Sequence, residues 1–135
     1  MKRRAFTFFQ LAAGACDTGT GILLLVAPQL ALKLMGVAQT PSDPIFISFI
    51  GAFVFSVGLT YLVFSRIPAS ESRLGAARAA WLITGMQRLC VGVFVLVAMV
   101  AGRLDLAWCS ITVADLSIGG IQLLGLRKRW IEATL

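Results

Sequence analysis

The sequence lacks histidine and carries little charge for its length. Its 135 residues include 12 Lys and Arg and 6 Asp and Glu, so 13% are charged, against about 25% in a typical soluble domain. The absence of histidine excludes bis-histidine haem, histidine-based zinc or di-iron sites, serine-histidine-aspartate triads and imidazole proton relays. The sequence therefore predicts a protein that is not an enzyme, with no catalytic residue, no metal site and no cofactor.

Cysteine is also scarce. Cys16, Cys90 and Cys109 all fall inside apolar segments, and no two of them form a CxxC pair. This pattern indicates neither a disulfide framework nor a thiol-redox motif. We expect three buried free thiols that act as small hydrophobic side chains.

Long apolar segments dominate what is present. The chain is 59% hydrophobic with a mean hydropathy of +0.90, and a membrane-spanning helix needs about 20 mostly apolar residues. Four segments qualify, at residues 6–27, 44–64, 77–101 and 106–126. The fold class predicted is an all-α integral membrane four-helix bundle that forms a single domain over residues 1–135. The very short connection at 102–105 predicts an antiparallel hairpin of the last two helices, and part of the first loop is expected to form a short interfacial helix.

The positions of the basic residues predict orientation. With alternate loops on opposite sides, nine Lys and Arg lie on one side, two lie on the other, and Arg88 lies within the membrane. By the positive-inside rule both termini are cytoplasmic. The positive excess indicates contact with anionic membrane lipids and not with nucleic acid, and the run Arg127–Arg129 beside Trp130 is expected to anchor the last helix at the inner leaflet.

Small residues recur at helical spacing in the first two segments. Gly14, Asp17 and Gly21 share one face of the first helix, and Gly51 and Gly58 share one face of the second. Small residues let two helix backbones approach closely in a membrane. We therefore expect these faces to line helix contacts.

Three ionisable residues, Asp17, Arg88 and Asp115, lie near the middle of three separate apolar segments. A charge at that depth costs at least roughly 2.5 to 3.5 kcal/mol, so such residues are rare and usually partnered. At about 1.5 Å of rise per residue, all three lie near the membrane midplane. They are predicted to form an intramembrane charge network, with polar side chains nearby as candidate partners: Ser56, Thr60, Thr84, Gln87 and Thr112.

Two interpretations of this network stay open. In the first, Arg88 binds both carboxylates and fixes helix register, since its planar guanidinium serves two acceptors at once. In the second, one carboxyl holds a proton, and the residues form the site of a small proton-coupled transporter or bind a quinone or a lipid headgroup.

Some of these residues carry a resemblance to known families. Asp17-Thr18-Gly19, the leucines 23–25 and Pro28, followed by Gly51, Gly58 and an arginine-bearing third helix, resemble DoxX-like small four-helix bacterial membrane proteins. This resemblance implies a four-helix bundle in the bacterial inner membrane, sometimes associated with quinone-linked oxidoreductases, and transfers no catalytic residue. The chain is also similar in length and helix number to small multidrug resistance transporters, which place Glu where Asp17 stands and bury no mid-helix arginine.

Taken together, these features predict a non-catalytic integral membrane protein. We expect a structural or accessory subunit of a membrane assembly, linked to electron transfer by the resemblance, that contacts membrane lipids and other membrane subunits or further copies of itself. The alternative is the transporter or the quinone- or lipid-binding protein that uses the Asp17, Arg88 and Asp115 site.

Overall fold

The computed structural model describes residues 3–38, 41–66 and 71–132, and the regular secondary structure within these ranges is helical, with no strand. The helices are α1 (Arg3–Val26), α2 (Pro28–Leu34), α3 (Ile45–Arg66), α4 (Glu71–Val100) and α5 (Cys109–Arg127), with a single 3₁₀ turn at Leu106–Trp108. The chain forms two compact units, Lys2–Pro68 and Ala69–Leu135. We call them the first hairpin, which holds α1 to α3, and the second hairpin, which holds α4 and α5.

Within the described ranges, four helical segments are long and apolar enough to cross a membrane, as predicted. They are Arg4–Val26, Ile45–Arg66, Leu74–Val100 and Leu106–Arg127. The largest difference from prediction is the start of α4, which begins at Glu71 instead of at residue 77. The six added residues, ESRLGA, join the helix although they are too polar to count as part of a membrane-spanning run, since only Gly75 among them is a poor helix former.

The first loop contains the short helix that was expected. Proline at the first position of α2 loses no hydrogen bond, since that amide has no partner within the helix. The helix ends at Leu34, and two residues later Gly36 takes a left-handed φ of 78°, while the amide of Val37 donates to the carbonyl oxygen of Leu32 at 3.0 Å. The position of α2 at a membrane interface stays a prediction.

Glycines set the contact between α1 and α3 in the first hairpin. A Cβ at Gly51 would lie 2.7 Å from the Cβ of Leu24, and one at Gly21 would collide with the backbone of Phe55. At Gly58 an added Cβ would collide with the backbone of Thr18. The predicted use of these glycines as close-contact positions is therefore confirmed.

A tight turn joins α4 to α5. Gly102 takes a left-handed φ of 68°, and the carboxylate of Asp105 accepts a hydrogen bond from the amide of Ala107 at 3.1 Å, which caps the 3₁₀ turn. The predicted antiparallel hairpin of the last two helices is confirmed.

Large apolar side chains cover much of the outer surface. Phe46 is 75% exposed and Val100 is 82% exposed, and most of the other exposed apolar residues also lie on the four long helices. A water-soluble protein rarely exposes so much contiguous apolar surface, whereas lipid solvates it.

The cysteines lie on that surface as well. Cys16, Cys90 and Cys109 are free and exposed, so the expectation of buried thiols is wrong. An apolar segment long enough to cross a membrane does not show which of its small apolar side chains face inward, because such side chains gain little from burial when lipid is the solvent.

Candidate functional site

An ion pair joins the two helices of the second hairpin. Arg88 of α4 donates from Nη1 to Oδ1 of Asp115 in α5 at 2.6 Å. The side chains are 7% and 16% exposed. A charge-assisted hydrogen bond this short and this sheltered is among the stronger side-chain contacts available to a protein.

A second polar contact crosses between the same helices, one turn away along α4. Gln122 donates from Nε2 to Oγ1 of Thr84 at 2.8 Å, and both residues are buried. The hydroxyl of Thr84 donates to the carbonyl oxygen of Ala80 at 2.7 Å. Because that hydroxyl has a single proton, its oxygen can only accept from Gln122, which fixes the amide nitrogen of Gln122 toward Thr84.

The orientation of the Gln122 amide leaves its oxygen without a donor. Oε1 of Gln122 and Oγ1 of Thr112 are both buried and have no hydrogen-bond partner among the residues that the structure describes. Thr112, Asp115 and Gln122 follow one another along α5 at spacings of three and seven residues. We call the five residues Thr84, Arg88, Thr112, Asp115 and Gln122 the polar column.

Glycines hold α4 and α5 close together along the polar column. A Cβ added at Gly119 would lie 3.0 Å from the carbonyl oxygen of Gly85, and one at Gly92 would lie 2.8 Å from Leu116. Close approach of the backbones brings short side chains such as Thr84 within reach of the opposite helix. The glycines therefore make the side-chain contacts of the column geometrically accessible.

The other predicted site residues take different positions. Asp17 is half-buried in α1 of the first hairpin, and its membership of the charge network stays a prediction. In α3, the hydroxyl of Ser56 donates to the carbonyl oxygen of Phe53 at 2.7 Å, and that of Thr60 donates to the carbonyl oxygen of Ser56 at 2.9 Å. Gln87 is exposed on α4. The role of these residues as partners of the charges also stays a prediction.

Gln122 was not among the predicted partners, although a signal for it exists in the sequence. It lies seven residues after Asp115, which is two turns along the same helical face, and it is an amide in an otherwise apolar stretch.

The structure also contains an open groove of about 450 Å³ in the first hairpin. It lies between the end of α1, helix α2 and Pro44, with Gln29 and Lys33 as its polar lining, and no residue of the polar column borders it. Within residues 3–38, 41–66 and 71–132, no group of three or more cysteine or acidic residues could hold a metal ion.

Comparison with known proteins gives no relative. No protein-family model matches the chain, and no curated protein and no solved structure matches it either. The geometry of the polar column is therefore the basis for assigning a function.

Proposed function

We propose that this chain is a non-catalytic multi-pass membrane protein that serves as a structural or accessory subunit of a membrane assembly. The proposal includes a bacterial inner membrane, both termini in the cytoplasm and a link to electron transfer, which are supported by the charge distribution and by the resemblance to DoxX-like proteins. The observation that carries the structural role is the direct contact of Arg88 with Asp115 at 2.6 Å.

The geometry of this contact favours packing over binding. A site that binds a charged substrate must offer an accessible charge, whereas the guanidinium of Arg88 and the carboxyl group of Asp115 engage each other within one hairpin. Buried polar groups that pair with each other can specify which of several apolar packings forms. In a membrane this matters because lipid is as apolar as leucine, so apolar faces alone discriminate poorly between registers.

The subunit role is tested by purifying the chain in mild detergent and identifying by mass spectrometry every protein and small molecule that travels with it. We expect stoichiometric partner proteins. The matched variant is R88M/D115L, which removes both charges together and should keep those partners if the pair only sets register. A lone homo-oligomer that carries a stoichiometric small molecule, lost in that variant, would contradict the proposal.

The orientation is tested with the native cysteines. Cys109 begins α5 beside the tight turn, whereas Cys16 and Cys90 lie well inside α1 and α4. A membrane-impermeant maleimide added to intact cells should label Cys109, because the proposed orientation places that turn outside. C109S is the control and should remove the label, while labelling only after the membrane is opened would reverse the orientation.

One observation favours the alternative of a small proton-coupled transporter or a quinone- or lipid-binding protein. Gln122 Oε1 and Thr112 Oγ1 are buried and accept no hydrogen bond from the described residues. A bound hydroxyl-bearing molecule could supply the missing donor, since an unsatisfied acceptor at membrane depth is costly. A small molecule that copurifies with the wild type and is lost in Q122L would favour this alternative over the structural role.

A further inference from the structure

Helix α5 ends in a turn that reverses the chain. The amide of Trp130 donates to the carbonyl oxygen of Gly125 at 2.9 Å, and the amide of Arg129 donates to the carbonyl oxygen of Leu126 at 3.1 Å. Arg129 has a left-handed φ of 54°, and within the described ranges no other residue except glycine has one. This hydrogen-bond pattern is a Schellman motif, in which the left-handed position is usually glycine. We call residues Arg127–Glu132 the C-terminal hook.

Apolar contacts and one ion pair hold the hook in place. Ile131 is fully buried. The rings of Trp81 and Trp130 pack against Gly125, where a Cβ, if one were added, would lie 2.6 Å from the first ring and 2.9 Å from the second. Glu132 Oε1 lies 3.4 Å from Nη1 of Arg78 in α4. The hook is therefore fixed against α4 and α5 by residues other than its basic ones.

The basic residues of the hook are left on the surface. Arg127, Lys128 and Arg129 are all exposed, and the acidic residue of the hook, Glu132, is engaged by Arg78. The hook thus presents three adjacent cations on a hydrogen-bonded turn. Their chemistry is complementary to a phosphate group, and arginine can bind phosphate through two parallel hydrogen bonds.

The choice of residue at position 129 points to a role for its side chain. Glycine adopts a left-handed backbone without a steric penalty, and asparagine tolerates it better than a long side chain does. The turn itself uses only the backbone of Arg129, through its amide hydrogen bond to Leu126. A strained position that carries a functional side chain is a pattern found at ligand-binding sites.

We propose that the C-terminal hook binds the phosphate of an anionic phospholipid, with Arg129 as the main ligand and Arg127 and Lys128 as supporting cations. The occupant is a lipid because the membrane-length segment Leu106–Arg127 ends within the hook, which places these cations at headgroup depth. The proposal requires that the chain spans a membrane. It does not depend on the subunit role or on which leaflet the hook faces, so its test is separate from the copurification test of that role and from the cysteine-labelling test of orientation.

The test compares lipids by fluorescence quenching in bilayers. The full chain with W108F is reconstituted in phosphatidylcholine containing phosphatidylglycerol with brominated acyl chains, so that the remaining indoles, Trp81 and Trp130, report from the hook. Brominated phosphatidylcholine gives the reference. We expect R129G and R129N to lower the relative association constant for phosphatidylglycerol more than about fivefold, which is the loss that follows from removing any one cation at a membrane surface. K128G also removes one positive charge, but from a residue with a right-handed backbone, and should lower the relative association constant clearly less.

Three results would overturn the proposal. An equal loss in R129G, R129N and K128G would show diffuse attraction instead of a site, and an unchanged preference would show no binding. Loss of the preference on adding inorganic phosphate would identify free phosphate as the ligand. The melting temperature checks the fold: both position-129 variants should melt at or above the wild type, whereas a lower value in both would show that the Arg129 side chain holds the hook together.

Discussion

Both hairpins pack their helices closely at glycines, and the second hairpin adds side-chain hydrogen bonds that cross between its two helices. In the first hairpin, Gly21 and Gly58 bring α1 and α3 close enough for an added Cβ to collide with the opposite backbone. In the second hairpin, Arg88 with Asp115 and Thr84 with Gln122 form two hydrogen bonds that cross from α4 to α5.

Close packing at glycine and polar contacts between side chains are two solutions to one physical problem. Between helices in a membrane the hydrophobic effect gives no net attraction, so close packing and polar contacts must supply it. Backbone packing at glycine depends on shape and tolerates no added volume. A side-chain ion pair depends on chemistry, and its loss leaves a buried charge. The two hairpins should therefore respond to different substitutions.

The largest effect is expected from breaking the ion pair on one side. R88M removes the cation that pairs with Asp115 and should lower the free energy of unfolding by roughly 3 to 5 kcal/mol. Because R88M/D115L removes both charges, it should recover most of that loss. The measurement is unfolding in mixed micelles, followed by tryptophan fluorescence.

The double variant also provides the control for that experiment. If R88M/D115L is as unstable as R88M, the cost does not come from an uncompensated carboxyl group, and the ion pair is not what sets the stability of the second hairpin. D115N is a further check, since it keeps the size of the side chain and removes its charge.

A smaller effect is expected at the glycines of the first hairpin. G58A forces a methyl group against the backbone of Thr18 and should cost about 1 to 3 kcal/mol through helix separation. The matched control is G19A in α1, where an added Cβ meets nothing within 4 Å. Because alanine is the better helix former, G19A should be neutral or stabilise by up to about 1 kcal/mol. Equal losses in G58A and G19A would refute the close-packing account.

Sequence patterns alone predicted the four long helices, the short helix after Pro28 and the turn into α5. These features depend on local properties, namely the length of an apolar run, the positions of proline and glycine and the length of a connection. The start of α4 was missed because its first turns are too polar to count as part of an apolar run. Glycine spacing also identified the contact faces of α1 and α3.

The contacts of the candidate site were less accessible to sequence reasoning. Periodicity shows which residues share a face of one helix, but it does not show which residues of two faces meet, so the bond from Gln122 to Thr84 could not be predicted. The reversal after α5 was missed for a related reason. Arg129 is not a residue type that indicates a left-handed turn, and Trp130 and the basic run looked like an ordinary membrane anchor.

The smallest effect is expected at Gln122, and it tests whether the second hairpin depends on its charges or on polar contacts in general. Q122M removes the hydrogen bond to Thr84 but also removes the oxygen that has no donor, so the two changes offset each other. The free energy of unfolding should change by less than about 1 kcal/mol, since interhelical hydrogen bonds in membranes contribute little on average. T84V, which leaves both ends of the Gln122 amide unsatisfied, should cost more than Q122M when both are measured by the same unfolding assay. The reverse order would mean that Oε1 of Gln122 is satisfied in the folded protein by a water or a ligand, which would shift the balance from a packing contact toward a binding site.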